Sequence, residues 1–129
     1  MPASKAAGRQ NISSGGAYEN VFGYCRAVRV KDQIHVSGTC APPTHEKADA
    51  YEQAKAALEI IGRALAEAGA GFADVVRTVV YVRDINDADA VARAHLEVFD
   101  KIRPASTLIQ IDGMIRTWQR VEIEAYAIA

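Results

Sequence analysis

Residues 120–128, RVEIEAYAI, alternate so regularly that Val121, Ile123, Ala125 and Ala127 fall on one face of a strand and Glu122, Glu124 and Tyr126 on the other. The apolar face must meet a core. The opposite face then carries two carboxylates in mid-strand, an uncommon place for charge unless it is paired or used. Proton transfer is the chemistry open to such a group, and Glu122 is unusual enough in that place to be a candidate site residue. Glu124 points the same way, with a structural salt bridge as its simpler role. Tyr24 and Arg26, two residues apart in a strand-like run, also share a face.

Other reactive side chains read more plainly. Ser106 has no neighbouring histidine in the sequence that would make it a nucleophile. His95 sits on the apolar face of a helical segment, where a hydrogen-bonded core or interface histidine is the default, and His35 and His45 make no metal-binding spacing with it. Cys25 and Cys40 lack Cys-x-x-Cys spacing and read as two reduced thiols. Trp118, just before the last strand, either roofs a cleft or packs at an interface. Neither metal nor cofactor is expected.

The elements that must hold these groups fit one domain. The chain has 129 residues, 50% hydrophobic and 24% charged, with a net charge of −1, enough to bury a core without disulfides. No apolar run approaches the ~18 residues that span a bilayer, and MPASKAAGRQ lacks a secretory apolar stretch, so a cytoplasmic protein with no membrane partner is expected. The near-zero charge also disfavours nucleic acid, although Arg26, Arg29 and Lys31 form a local basic stretch.

Along the chain, residues 1–11 read as a flexible arm, Ser13-Ser14-Gly15-Gly16 as a flexible turn, and residues 12–129 as the domain. Residues 24–30 and 33–37 form a hairpin across Lys31-Asp32, and 41–47 a surface loop. Tyr51, Ala54, Leu58, Ile61, Leu65 and Ala68 mark an amphipathic helix over 49–68 that Gly69 and Gly71 end. A strand over 75–83 with valines on both faces follows, then a helix over 87–101 capped by Asn86, then strands over 107–111 and 120–128. This order is α+β, a single sheet with two helices on one face. The valines and carboxylates left on the other face call for association with further copies.

The stretch IRPASTLIQIDGMIRTWQRVEIEAYAIA, together with Tyr24 to Val28, Ser37-Gly38 and EAGAGFADVVRTVVYVRDIND, resembles the reactive intermediate deaminase (Rid/YjgF, endoribonuclease L-PSP-like) family over roughly residues 12–129. The resemblance implies a chorismate-mutase-like fold with a mixed sheet, a homotrimer, and small-molecule clefts between subunits that hydrolyse imines and enamines to ketones and ammonia. It puts Glu122 on the water-handling carboxylate, Tyr24 on a cleft tyrosine, Ser37 and Gly38 on the strand end lining the cleft, and Ser106 and Thr107 on substrate-binding positions.

One departure matters: deaminase-active members read Pro-Ala-Arg or Pro-Ser-Arg where this chain has Pro104-Ala105-Ser106. A hydroxyl cannot replace the two parallel charge-assisted bonds of a guanidinium. Arg26 is the candidate replacement anchor for an anion, against the plainer reading of a surface or interface ion pair, and Arg116 is the lesser candidate. The reading is therefore an imine or enamine hydrolase whose substrate differs from the usual 2-imino acids. The alternative is a non-catalytic trimer that binds a small metabolite or protects a partner, with ribonuclease or translation-inhibitor activity behind both.

Overall fold

The computed structural model describes residues 8–129. Six strands, β1 (Arg9–Ile12), β2 (Ala27–Val30), β3 (Gln33–Thr39), β4 (Val75–Val82), β5 (Ala105–Gln110) and β6 (Val121–Ile128), form one sheet in the order β1-β2-β3-β6-β4-β5. Only β4 and β5 run parallel. A parallel pair needs a crossover, and here α3 (Ala88–Phe99) supplies it. The longer α2 (Ala50–Glu67) links β3 to β4 and packs on β3, β6 and α3. The α+β class is thus the observed one.

Alternation puts Val121, Ile123, Ala125 and Ala127 against the helices, and all four are buried. They meet Leu58, Ile61 and Leu65 of α2, Val91 and Ala94 of α3, and Val80 and Val82 of β4 in one core. Asp49 caps α2 by accepting from the Glu52 amide at 2.9 Å, and Gly69 after it takes φ 83°. Gly71 is extended, so the chain reverses on one glycine rather than two.

Several boundaries differ from the sequence reading. Of the expected arm, residues 1–7 lie outside the described part, while Arg9, Gln10 and Asn11 pair with Val30, Arg29 and Val28. The edge of β2 would otherwise be unpaired. The Ser13–Gly16 turn is tied down, because Glu19 of a short helix α1 (Ala17–Phe22) accepts from both serine hydroxyls and from the Ser14 and Gly16 amides. Asn86 does not cap α3. Asp84 instead accepts from the Asn86 amide, closing a 3-10 turn over Ile85–Asp87 that leads into the helix.

Candidate active site

The polar face of β6 opens on a cleft of about 600 Å³ lined by Glu122, Tyr24, Arg26, Ser37, Gly38 and Cys40, among others. Its geometry begins with a fault in the sheet. Val36 pairs with Ala125 and Thr39 with Ile123, so Ser37 and Gly38 together oppose the single residue Glu124. Such a bulge re-aims side chains and frees backbone groups, which must find other partners. Ser37 donates its amide to Arg26 O at 2.9 Å and its hydroxyl to Cys25 O at 2.7 Å. The Thr39 hydroxyl donates to Ser37 O at 2.7 Å, and Arg26 Nη1 donates to Gly38 O at 2.7 Å.

Glu122 lies over this bulge. A Cβ on Gly38 would come within 2.9 Å of Glu122 Cδ and closer still to Oε2, so only glycine leaves room for the carboxylate in this pose. The Cys40 thiol donates to Glu122 Oε1 at 3.5 Å. Burial, followed by the charge and hydrogen bond of Glu122, pushes the Cys40 thiol well up, against a smaller opposing effect of Arg26. Cys40 is therefore a protonated donor to the carboxylate, not a nucleophile. Among the described residues no cation pairs with Glu122.

Arg26 is 7% exposed and fully engaged in scaffolding. It donates to Gly38 O, to Thr39 Oγ1 at 3.0 Å, to Tyr24 OH at 2.8 Å and to Ser14 Oγ at 3.3 Å. Within one chain it makes no ion pair among the described residues, and the fork needed for a bidentate anion contact is spent on the bulge. The Ser14 hydroxyl in turn donates to Glu19 Oε2 at 2.7 Å, which ties the guanidinium to a carboxylate through one hydroxyl. Arg116, on the cleft wall and exposed, has no side-chain bond among the described residues.

Glu124 departs from its expected salt bridge. Tyr81 and Tyr126 donate to its two oxygens at 2.8 and 3.0 Å. The bond to Glu124, aided by burial and its charge, pushes the Tyr81 phenol up to about 12, and the same partner raises Tyr126.

Ser106 and Thr107 do not join this cleft within one chain. They lie on β5, with β4 between it and β6. Ser106 Oγ accepts from Thr78 Oγ1 at 2.7 Å, and Thr78 Oγ1 meets His95 Nε2 at 2.9 Å, on the helix side of the sheet. Burial lowers the His95 pKa, so His95 is the hydrogen-bonded histidine its place on the apolar face of α3 suggests. Thr107 faces the other way and accepts from Arg77 Nη2 at 3.3 Å.

Gln53 of α2 fixes the start of β6: its Nε2 donates to Trp118 O at 3.2 Å and its Oε1 accepts from the Arg120 amide at 2.9 Å. Trp118 thus anchors the approach to Glu122 through its backbone. Gln53, Cys40 and Tyr81 were invisible as site residues in the sequence, since partners distant along the chain give them their roles. Tyr18 and Phe22, an i, i+4 pair before Gly23, were the one local signal.

The family model described as Endoribonuclease L-PSP matches residues 16–129. The chain belongs to the Rid/YjgF family. Human 2-iminobutanoate/2-iminopropanoate deaminase is 34% identical over 124 residues, covering 93% of this chain and 90% of that protein. An uncharacterized protein of Streptomyces coelicolor is 41% identical over 122 residues, 91% of each chain. The crystal structure of a YjgF/YER057c/UK114 family member from Mycobacterium tuberculosis superposes with a TM-score of 0.88 at 40% identity, over 94% of this chain and 99% of that one. The Rid/YjgF fold therefore extends over nearly all of the described domain.

Proposed function

We propose that this protein is a cytosolic homotrimer that hydrolyses the C=N bond of a small imine, or of the imine tautomer of an enamine, at clefts between subunits. The observation that carries the reading is Glu122, a cleft carboxylate with one thiol donor and no cation partner among the described residues. In that state a carboxylate accepts a hydrogen bond from water and orients it. An imine carbon is electrophilic, more so once its nitrogen is protonated. Water adds to that carbon as Glu122 takes its proton; Glu122 returns this proton to the carbinolamine nitrogen, and as the C–N bond breaks and ammonia leaves, the carbinolamine hydroxyl gives up its proton to Glu122 or solvent to form the ketone. Acid–base assistance of this kind supplies about 10²–10⁴-fold.

The relative named a 2-iminobutanoate/2-iminopropanoate deaminase supports the reaction class. The substrate is taken to differ from those small 2-imino acids, because Arg26 is held by the bulge and position 106 is serine. The engagement of Arg26 and the serine at position 106, which leave the exposed Arg116 as the cleft's free arginine among the described residues, favour the second reading, a trimer that binds a metabolite without turnover. Ammonia release over an imine panel separates them: turnover of any member supports the hydrolase, and saturable binding without release supports the binding protein.

A further inference from the structure

Part of the cleft wall is aromatic. Tyr18 and Phe22 stack at 5.9 Å with ring planes 19° apart. Phe22 meets Tyr24 edge-on at 5.9 Å and 64°, and the Arg26 guanidinium lies 5.3 Å from the Tyr24 ring centre. These residues form a staircase from the surface down to the buried cation, and all four line the same cleft as Glu122. At its mouth Phe22 is 73% exposed, and Ile115, from the loop before β6, is 62% exposed on the same cleft.

Within one chain two large apolar side chains stand open around this cleft, as they do at a binding surface. Aromatic rings in offset and edge-on arrangement present faces and edges suited to another flat ring. The buried end of the cleft offers little grip on a carboxylate, since Arg26 already makes four hydrogen bonds within the chain and Arg116, the cleft's other arginine among the described residues, stands exposed beside Ile115. From this we infer that the cleft selects imines or enamines carrying a flat apolar group, such as an aryl substituent, and draws its binding energy from that group rather than from a carboxylate. This rests on the hydrolytic reading for turnover, but not for binding.

The full chain is tested with imines generated in situ from phenylalanine and from alanine by an amino-acid oxidase, which differ only in the group the staircase would hold. The phenyl imine is expected to have a kcat/KM at least about tenfold above the methyl imine. That ratio falls about tenfold in Phe22→Ala and persists in Val21→Ala, whose side chain is exposed beside the cleft without lining it. Calorimetry with phenylpyruvate and pyruvate supplies the second arm, and circular dichroism checks that each variant is folded. Equal or faster turnover of the methyl imine, with no dependence on Phe22, overturns the inference and leaves the hydrolase standing. No turnover of either imine, with Phe22-dependent binding of phenylpyruvate over pyruvate, sustains the inference while removing the hydrolytic reading. Absence of both turnover and phenylpyruvate binding overturns the inference.

Discussion

The carboxylate of Glu122 occupies the space that any side chain at Gly38 would fill, with Cδ 2.9 Å from where a Cβ would stand. A catalytic candidate on β6 and a glycine on β3 are thus one steric unit. The bulge that creates it is clamped by Arg26 from a third segment of chain.

Gly38→Ala follows directly. The nearest atoms belong to the flexible end of Glu122, so the fold yields little and the carboxylate moves instead. Thermal stability should change by less than about 1 kcal/mol, while kcat/KM on the best imine substrate falls about a hundredfold. Differential scanning fluorimetry alongside ammonia release checks both; large destabilisation would mean that Gly38 matters to folding rather than to the carboxylate's pose.

Arg26→Lys removes the fork but keeps the charge. An ammonium cannot serve Gly38 O, Thr39 Oγ1, Tyr24 OH and Ser14 Oγ together. Leaving a buried carbonyl unpaired typically costs about 1–3 kcal/mol, and chemical denaturation should register a loss of that order. Unchanged stability would show that the clamp contributes nothing.

The arginine missing at position 106 yields a gain-of-function test. If a neighbouring subunit's β5 edge completes the cleft, Ser106→Arg should raise turnover of 2-iminopropanoate measurably, and the double variant with Glu122→Ala should lose the gain. In one chain Ser106 bonds to Thr78 rather than lining the cleft, so the same measurement on a trimer, its mass established by light scattering, also tests assembly. A folded trimeric Ser106→Arg without gain would count against a role for this position.

Acid should loosen the N-terminal loop. Burial alone would raise the pKa of Glu19, but bonds from Ser14, Ser13 and Gly16 outweigh it and leave the value below the ordinary 4.5. The stabilisation is therefore fully present above the unfolded-chain value and is lost as pH falls through the lower folded value. The melting temperature of the wild type should drop more steeply below about pH 4.5 than that of Glu19→Gln. Parallel slopes would contradict the assignment.

Period-two and period-three-to-four patterns carried most of the fold: β6, β4 and α2 are where alternation and the apolar stripe put them, because burial of one face dictates both. The six-residue α1 was not legible, since a helix that short forms through its tertiary partners, here the Glu19 network. The site was legible in residue identity and not in geometry. Tyr24 and Glu122 stood out as residues, but the bulge at Ser37-Gly38, the spending of Arg26 on that bulge and the turn of Ser106 toward His95 depend on register between strands far apart in sequence. A one-residue slip changes all of these, and no local pattern encodes it.

The most direct test of the account is ammonia release by wild type and Glu122→Gln on the same imine, with matched trimer mass and circular dichroism. Glutamine keeps the shape and cannot take a proton from water, so kcat/KM should fall about 10²–10⁴-fold with little change in the binding of the ketone product. Turnover by Glu122→Gln at the wild-type rate would contradict the assignment of Glu122 as the residue that activates water.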